Sequence, residues 1–212
     1  MGYKSFREVY HKLAIVLDNG FCATMLNTMQ EKIIPDGIEL NSALVYGYID
    51  KICGFSYKVL GLTYYEDGDY TLVWPNEEVG LTVRGENFHN FAIIPIENKA
   101  LEKRYSRDIN LTNECYSNDK DEKLRSFTEL DKFRHYDFPD DVLVILFRNG
   151  KQPEQIWVRV TEFVGKGEEE ALFFKGNLLN EPYEDYGVHS GDEVVFFVCE
   201  SKGDMVALCS PK

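Results

Sequence analysis

The residue types best suited to chemistry crowd into one stretch, Asn180-Glu181-Pro182-Tyr183-Glu184-Asp185-Tyr186-Gly187-Val188-His189-Ser190-Gly191-Asp192. A loop between two apolar strands that offers carboxylates, an imidazole, an amide and phenols can bind a ligand or hold a general acid and base. Asn180, Glu181, Tyr183, His189 and Asp192 are its candidate ligand- or partner-binding residues. The same stretch has a plainer reading. Pro182 and the glycines shape turns, Asn and Asp side chains satisfy local backbone groups, and Ser190-Gly191-Asp192 reads as a turn entering a strand. Most of these residues are expected to serve the scaffold, and Asn180, Glu181 and His189 are the first to test.

Other catalytic templates fail. His11, His89, His135 and His189 lie far apart, and none sits in H-E-x-x-H or a comparable ligand spacing. Gly165-x-Gly167 leads into three glutamates, not into Lys-Ser or a helix that would cradle phosphate. There is no G-x-S-x-G nucleophile elbow. Cys199 and His189 share a region, but Cys199 continues a hydrophobic strand and reads as a core residue. The five cysteines, Cys22, Cys53, Cys115, Cys199 and Cys209, form no C-x-x-C and are widely spaced. That points to reduced thiols in a cytoplasmic protein, not to a disulfide framework or zinc knuckle. No catalytic residue, metal or cofactor is assigned.

Charge narrows the partners. The 212 residues carry 23 Lys plus Arg against 36 Asp plus Glu, a formal net charge of −13. A phosphate-backbone binder draws its affinity from Lys and Arg displacing counterions, so nucleic acid is not the expected partner. From Asp137 onward the net charge is −8, against −5 before it. A partner is therefore expected to be another protein with a basic or neutral surface. No run approaches the ~20 consecutive apolar residues that a membrane helix needs, so no membrane partner is expected. The acidic Glu8 and the lack of a small-residue cleavage site argue against a signal peptide.

Elements must hold these residues in place. Ser5-Phe6-Arg7-Glu8 resembles a capping-box start, and Phe6, Val9, Tyr10, Leu13, Val16 and Leu17 follow at helical steps up to Asn19-Gly20. A second helix is expected from about 23 to 32. A third, capped by Asn41 or Ser42, would carry Leu44, Val45, Tyr48, Ile49 and Ile52. The period then changes. Phe55–Tyr65 and Tyr70–Trp74 flank Glu66-Asp67-Gly68-Asp69, a hairpin signal, and further strands are expected at 81–84 and 91–96. Polar residues 99–136 read as a connection with short helices near 100–107 and 126–133 and a loop at 113–123. Five strands follow, at 142–148, 156–163, 172–179, 194–198 and 205–209.

The expected fold class is therefore α+β. A helix-rich N-terminal unit with a small antiparallel sheet (1–98) and the polar connection (99–136) precede a small strongly bent β-sheet or SH3-like β-barrel (137–212).

Three blocks in this last part carry a resemblance: Gln155-Ile156-Trp157-Val158-Arg159-Val160, Gly176-Asn177-Leu178-Leu179-Asn180-Glu181-Pro182, and Gly187-Val188-His189-Ser190-Gly191-Asp192-Glu193-Val194. Their order and spacing resemble the uncharacterised bacterial YegJ-like domain family, with its W-V-x-V strand, L-x-N-x-P turn and G-D-x-V/I strand entry. The likeness covers about residues 140–198. It departs where such domains often finish with Asp-Trp, since this chain runs on as Glu200-Ser201-Lys202-Gly203-Asp204. The resemblance implies a bacterial, cytoplasmic β-domain. Some relatives accompany toxin–immunity systems, which implies partner binding.

The expected function is a non-catalytic protein-binding factor of regulatory or immunity type. The alternative is a hydrolase that uses the Asn180–Asp192 loop. A third expectation is self-association through the N-terminal helices.

Overall fold

Leu13-Ala14-Ile15-Val16-Leu17 has no polar break, and it forms a strand covered on both sides. The computed structural model describes residues 5–18, 20, 22, 40–75, 80–88 and 91–211. The chain divides into two units, Met1–Ser117 and Asn118–Lys212.

In the first unit, β1 (Leu13–Leu17), β2 (Ser42–Asp50), β3 (Gly54–Glu66), β4 (Asp69–Pro75), β5 (Thr82–Arg84) and β6 (Ala92–Ile96) form one sheet. Its order is β4-β3-β2-β1-β6, with β5 also pairing β3. The expected helix-rich unit is thus wrong. Where helices were expected at 6–17 and 42–52, the chain forms β1 and β2. Ser5 does cap a turn, accepting from the Arg7 N–H, but the turn is a short 3-10 segment, Phe6–Glu8. The helix expected at 23–32 lies outside the described residues, as does His89.

The physical reason is two-sided burial. Ala14, Val16, Ala43 and Val45 pack with Phe6, Val9, Val59 and Leu62 on one face. Leu13, Ile15, Leu44 and Tyr46 pack with Leu60 and Tyr105 on the other. A strand apolar on both faces loses its alternation, and its apolar residues also satisfy three- and four-residue steps. Self-association through N-terminal helices loses its basis at β1 and β2.

The polar middle is helical where a loop was expected. α1 (Lys99–Arg104) is capped by Asn98, whose side chain accepts from the Ala100 and Leu101 N–H groups. α2 (Ser106–Tyr116) follows, then α3 (Asp119–Ser126), capped by Asn118. Asp119, Asp121 and Glu122 occupy the first turn of α3, and Lys123 and Arg125 the last. This arrangement complements the helix dipole and makes a helix from a segment with few apolar residues.

In the second unit, β7 (Asp141–Leu146), β8 (Glu154–Lys166), β9 (Leu172–Leu178), β10 (Glu193–Ser201) and β11 (Asp204–Cys209) close into a barrel, ordered β10-β11-β7-β8-β9. Closure removes the free edges that an open sheet would present. Val142, Val144, Ile156, Val158, Phe174, Phe196 and Val198 fill the interior. Gly176 makes the closure possible: a Cβ there would lie 2.4 Å from Val158 Cγ1 and 2.5 Å from the Arg159 carbonyl oxygen.

A buried cation ties α3 to the start of β7. Arg125, 2% exposed, donates from Nε to Asp140 Oδ1 at 2.9 Å and from Nη2 to Asp140 Oδ2 at 2.7 Å. Arg159 makes the same fork on Asp141, at 2.7 and 2.9 Å. Two-pronged pairs of this kind fix orientation as well as charge.

Candidate functional site

The Asn180–Asp192 loop joins β9 to β10, and its polar side chains are mostly spent on shaping it. Asn180 Oδ1 accepts from the Trp157 N–H at 3.1 Å, which fastens the loop to β8. Asp192 Oδ2 accepts from the His189 N–H at 2.8 Å, and Asp185 Oδ1 from the Gly187 N–H at 2.9 Å. These are the local closures that Asp and Asn make in turns. Tyr186 is fully buried, and its hydroxyl donates to the Gln152 carbonyl. Tyr183 is instead 100% exposed, and its backbone N–H is held by Glu154.

Glu181 and His189 do meet. His189 Nδ1 lies 2.7 Å from Glu181 Oε1, and Glu181 Oε2 accepts from the Ser190 N–H at 2.8 Å. The hydrogen bond to Glu181 and its charge raise the His189 pKa above the ordinary imidazole value. The bond to His189, then that from Ser190, hold the Glu181 carboxyl below its usual range. Both side chains are open to water, at 72% and 58% exposure. The result is a clasp across the loop base, holding 181 to 189–190. Of the five sequence candidates, the structure brings together Glu181, His189 and Asp192, while Asn180 faces β8 and Tyr183 stands apart.

Outside the barrel wall is a feature that the sequence did not reveal. Phe173 of β9 pairs with Phe197 of β10, Phe197 with Leu208 of β11, and Leu208 with Ile145 of β7. Each alternates with a buried neighbour: Leu172 and Phe174, Phe196 and Val198, Ala207 and Cys209, Val144 and Leu146. All four therefore point outward, since successive side chains of a strand take opposite faces. They form one apolar row across four adjacent strands. The Phe173 and Phe197 ring centroids are 5.5 Å apart.

Val195 adds to the row at 48% exposure, and Phe147 is exposed at the end of β7. Cys199 also belongs to the outer wall, half-buried opposite Val206, which corrects its expected place in the core. Exposed Glu193 and Glu200 lie on β10, Asp204 on β11 and Glu162 on the neighbouring β8. Lys175 is bridged by Glu162 at 3.3 Å and Glu193 at 3.8 Å. The periodicity gave no sign of this row, because a strand apolar on both sides reads as fully buried.

Among the described residues, no three His, Cys, Asp or Glu side chains come together as metal ligands, and no helix is long and apolar enough to cross a membrane. No family model, curated protein or solved structure matches this chain.

Proposed function

We propose that this chain is a non-catalytic protein-binding factor whose partner docks on the outer wall of the barrel. One observation carries the reading: the outward row Phe173–Phe197–Leu208–Ile145 runs unbroken across four strands. Scattered surface apolar residues need no explanation, but a contiguous apolar patch with a polar rim is the form of an interaction surface.

Charge selects the occupant. The residues from Asp137 onward carry −8, and acidic side chains flank the row. The partner is a protein with an apolar centre and a basic or neutral rim, steered by charge and held by the aromatic pair. The kinship of residues 140–198 to the YegJ-like family belongs to this proposal, and with it a bacterial cytoplasmic setting and a regulatory or immunity-type role.

The hydrolase alternative keeps one supporting observation, the 2.7 Å contact between His189 and Glu181. Against it, Asp185 and Asp192 close turns, Asn180 fastens the loop to β8, and the clasp itself holds two ends of the loop together. The test is affinity capture from a lysate of the source organism by the native chain and by Phe197→Glu. The proposal expects a specific partner with the first, its loss with the second, and an unchanged melting temperature. Equal capture by both, or none by either at low and high salt, overturns it.

A further inference from the structure

The first unit holds a cleft of about 570 Å³ that the docking wall does not involve. Its floor is one row of the sheet: Leu13 of β1 pairs with Tyr46 of β2 on one side and with Ile96 of β6 on the other. One wall comes from the helices. Lys99 and Glu102 of α1 and Ser106, Ile109 and Asn110 of α2 line the cleft.

The chain entering β1 adds His11 and Lys12 to the lining. Gly47 has no side chain, and a Cβ there would lie 2.3 Å from the Val9 carbonyl oxygen. The segment before β1 can therefore lie against β2, where the His11 N–H donates to Gly47 O at 2.9 Å and the Gly47 N–H to Lys12 O at 3.1 Å. His11 is held there at φ 55, in the left-handed region that few non-glycine residues adopt. Its ring stacks on Tyr10 at 4.0 Å and lies parallel to Tyr46 at 6.2 Å. Backbone strain of this sort persists where the surroundings over-determine it, and it clusters at ligand sites.

The walls are fixed before any ligand arrives. The Tyr46 hydroxyl donates to Asn113 Oδ1 at 2.9 Å, and Asn98 both caps α1 and donates to the Tyr70 hydroxyl at 2.8 Å. Lys12, Lys99, Glu97 and Glu102 bring two positive and two negative side chains to an apolar floor, with the Lys12 ammonium donating to the Arg7 carbonyl at 3.1 Å.

We propose that this cleft binds a small zwitterion with an apolar body, of the size of a dipeptide. The volume falls in the range of about 300–1,000 Å³ typical of small-molecule sites. The balance of two cations and two anions disfavours a ligand of one charge sign, because each unmatched charge would meet its own kind. A ligand carboxylate faces the lysines, its ammonium faces the glutamates, and its side chains lie on Tyr46, Leu13 and Ile96.

Calorimetric titration of the full chain with Leu-Phe, Phe-Leu and Tyr-Val, each also in N-acetylated and C-amidated form, tests this. The expected result is saturable binding of at least one free dipeptide with a Kd of about 1 mM or tighter, and about tenfold weaker binding of each blocked form. Lys12→Met and Glu102→Gln, both at exposed positions, should each weaken the free dipeptide while leaving the melting temperature unchanged. Phe197→Glu should leave it bound as before, which separates this site from the docking wall. No saturable binding, equal binding of the blocked forms, or indifference to both cleft substitutions overturns the proposal.

Discussion

Phe173 and Phe197 face each other across β9 and β10 on the outside of a closed barrel, their rings 5.5 Å apart and tilted by 31°. A barrel packs its inward side chains against one another and leaves the outward ones to water or to a partner. The pair, continued by Leu208 and Ile145, is half-buried, and covering the apolar surface it still shows to water favours association.

Arg125 should be the most sensitive charged position of the second unit. Arg125→Ala leaves the Asp140 carboxylate, part-buried, without the fork that neutralises it. Breaking a buried pair in this way costs about 3–5 kcal/mol. Urea unfolding should show the midpoint fall with an unchanged slope. A loss below about 1 kcal/mol, the range of surface pairs, would contradict the role given to this contact.

Gly176 is fixed by closure. In Gly176→Ala the new methyl would sit 2.4 Å from Val158 Cγ1 and 2.5 Å from a backbone oxygen, and the backbone cannot move without opening β8–β9. Overpacking of this kind costs about 1–3 kcal/mol. A thermal melt of the variant that matched the native chain would show that the barrel wall yields where close packing says it should not.

The Glu181–His189 clasp gives a pH dependence with a definite sign. The Glu181 pKa is lowered by folding, so its contribution is present above the unfolded carboxyl value and disappears as pH falls through the folded one. The His189 pKa is raised, so its contribution is full below the unfolded imidazole value and disappears as pH rises through the folded one. The clasp is therefore fully charged between about pH 4.3 and 6.5, the two unfolded values. An NMR titration of the His189 ring should show its pKa drop in Glu181→Gln. An unchanged midpoint would mean that the 2.7 Å contact does not persist in solution.

Thiol reactivity should follow burial. Burial, with the nearby Asp18 charge, pushes the Cys22 thiol up to about 12, and burial pushes Cys209 up to about 11. Cys115 is exposed. Because the thiolate is the nucleophile, iodoacetamide should label Cys115 in the native chain and reach Cys22 and Cys209 only after unfolding. Native labelling of Cys209 at a rate similar to that of Cys115 would contradict the closed barrel.

The barrel was legible because its strands alternate. Ile156, Val158 and Val160 point inward, while Trp157, Arg159 and Thr161 are partly open to solvent, so the period of two shows directly. β1 and β2 were not legible, because Leu13–Leu17 and most of Ser42–Asp50 are buried on both faces. Their β-branched Ile15, Val16, Val45 and Ile49 were the remaining hint. The loop residues Asn180, Glu181 and His189 were found by type, but a residue type does not say whether a carboxylate serves a substrate or a backbone N–H. The outer row stayed hidden because Phe173 and Phe197 adjoin inward Phe174 and Phe196, and such a run looks the same as a core strand. The cleft stayed hidden because residues 11–13, 46 and 96–110 meet only in the folded sheet.

The docking wall is tested most directly by capture with two matched variants. Phe197→Glu places a charge in the centre of the apolar row, and Lys202→Glu places one on the exposed β10–β11 turn. An aromatic anchor at an interface centre is worth about 2 kcal/mol or more, about thirtyfold in affinity, whereas a peripheral charge changes little. The account predicts that Phe197→Glu abolishes capture of the partner that the native chain and Lys202→Glu both retain, with all three melting alike. Full retention of the partner by Phe197→Glu would contradict it.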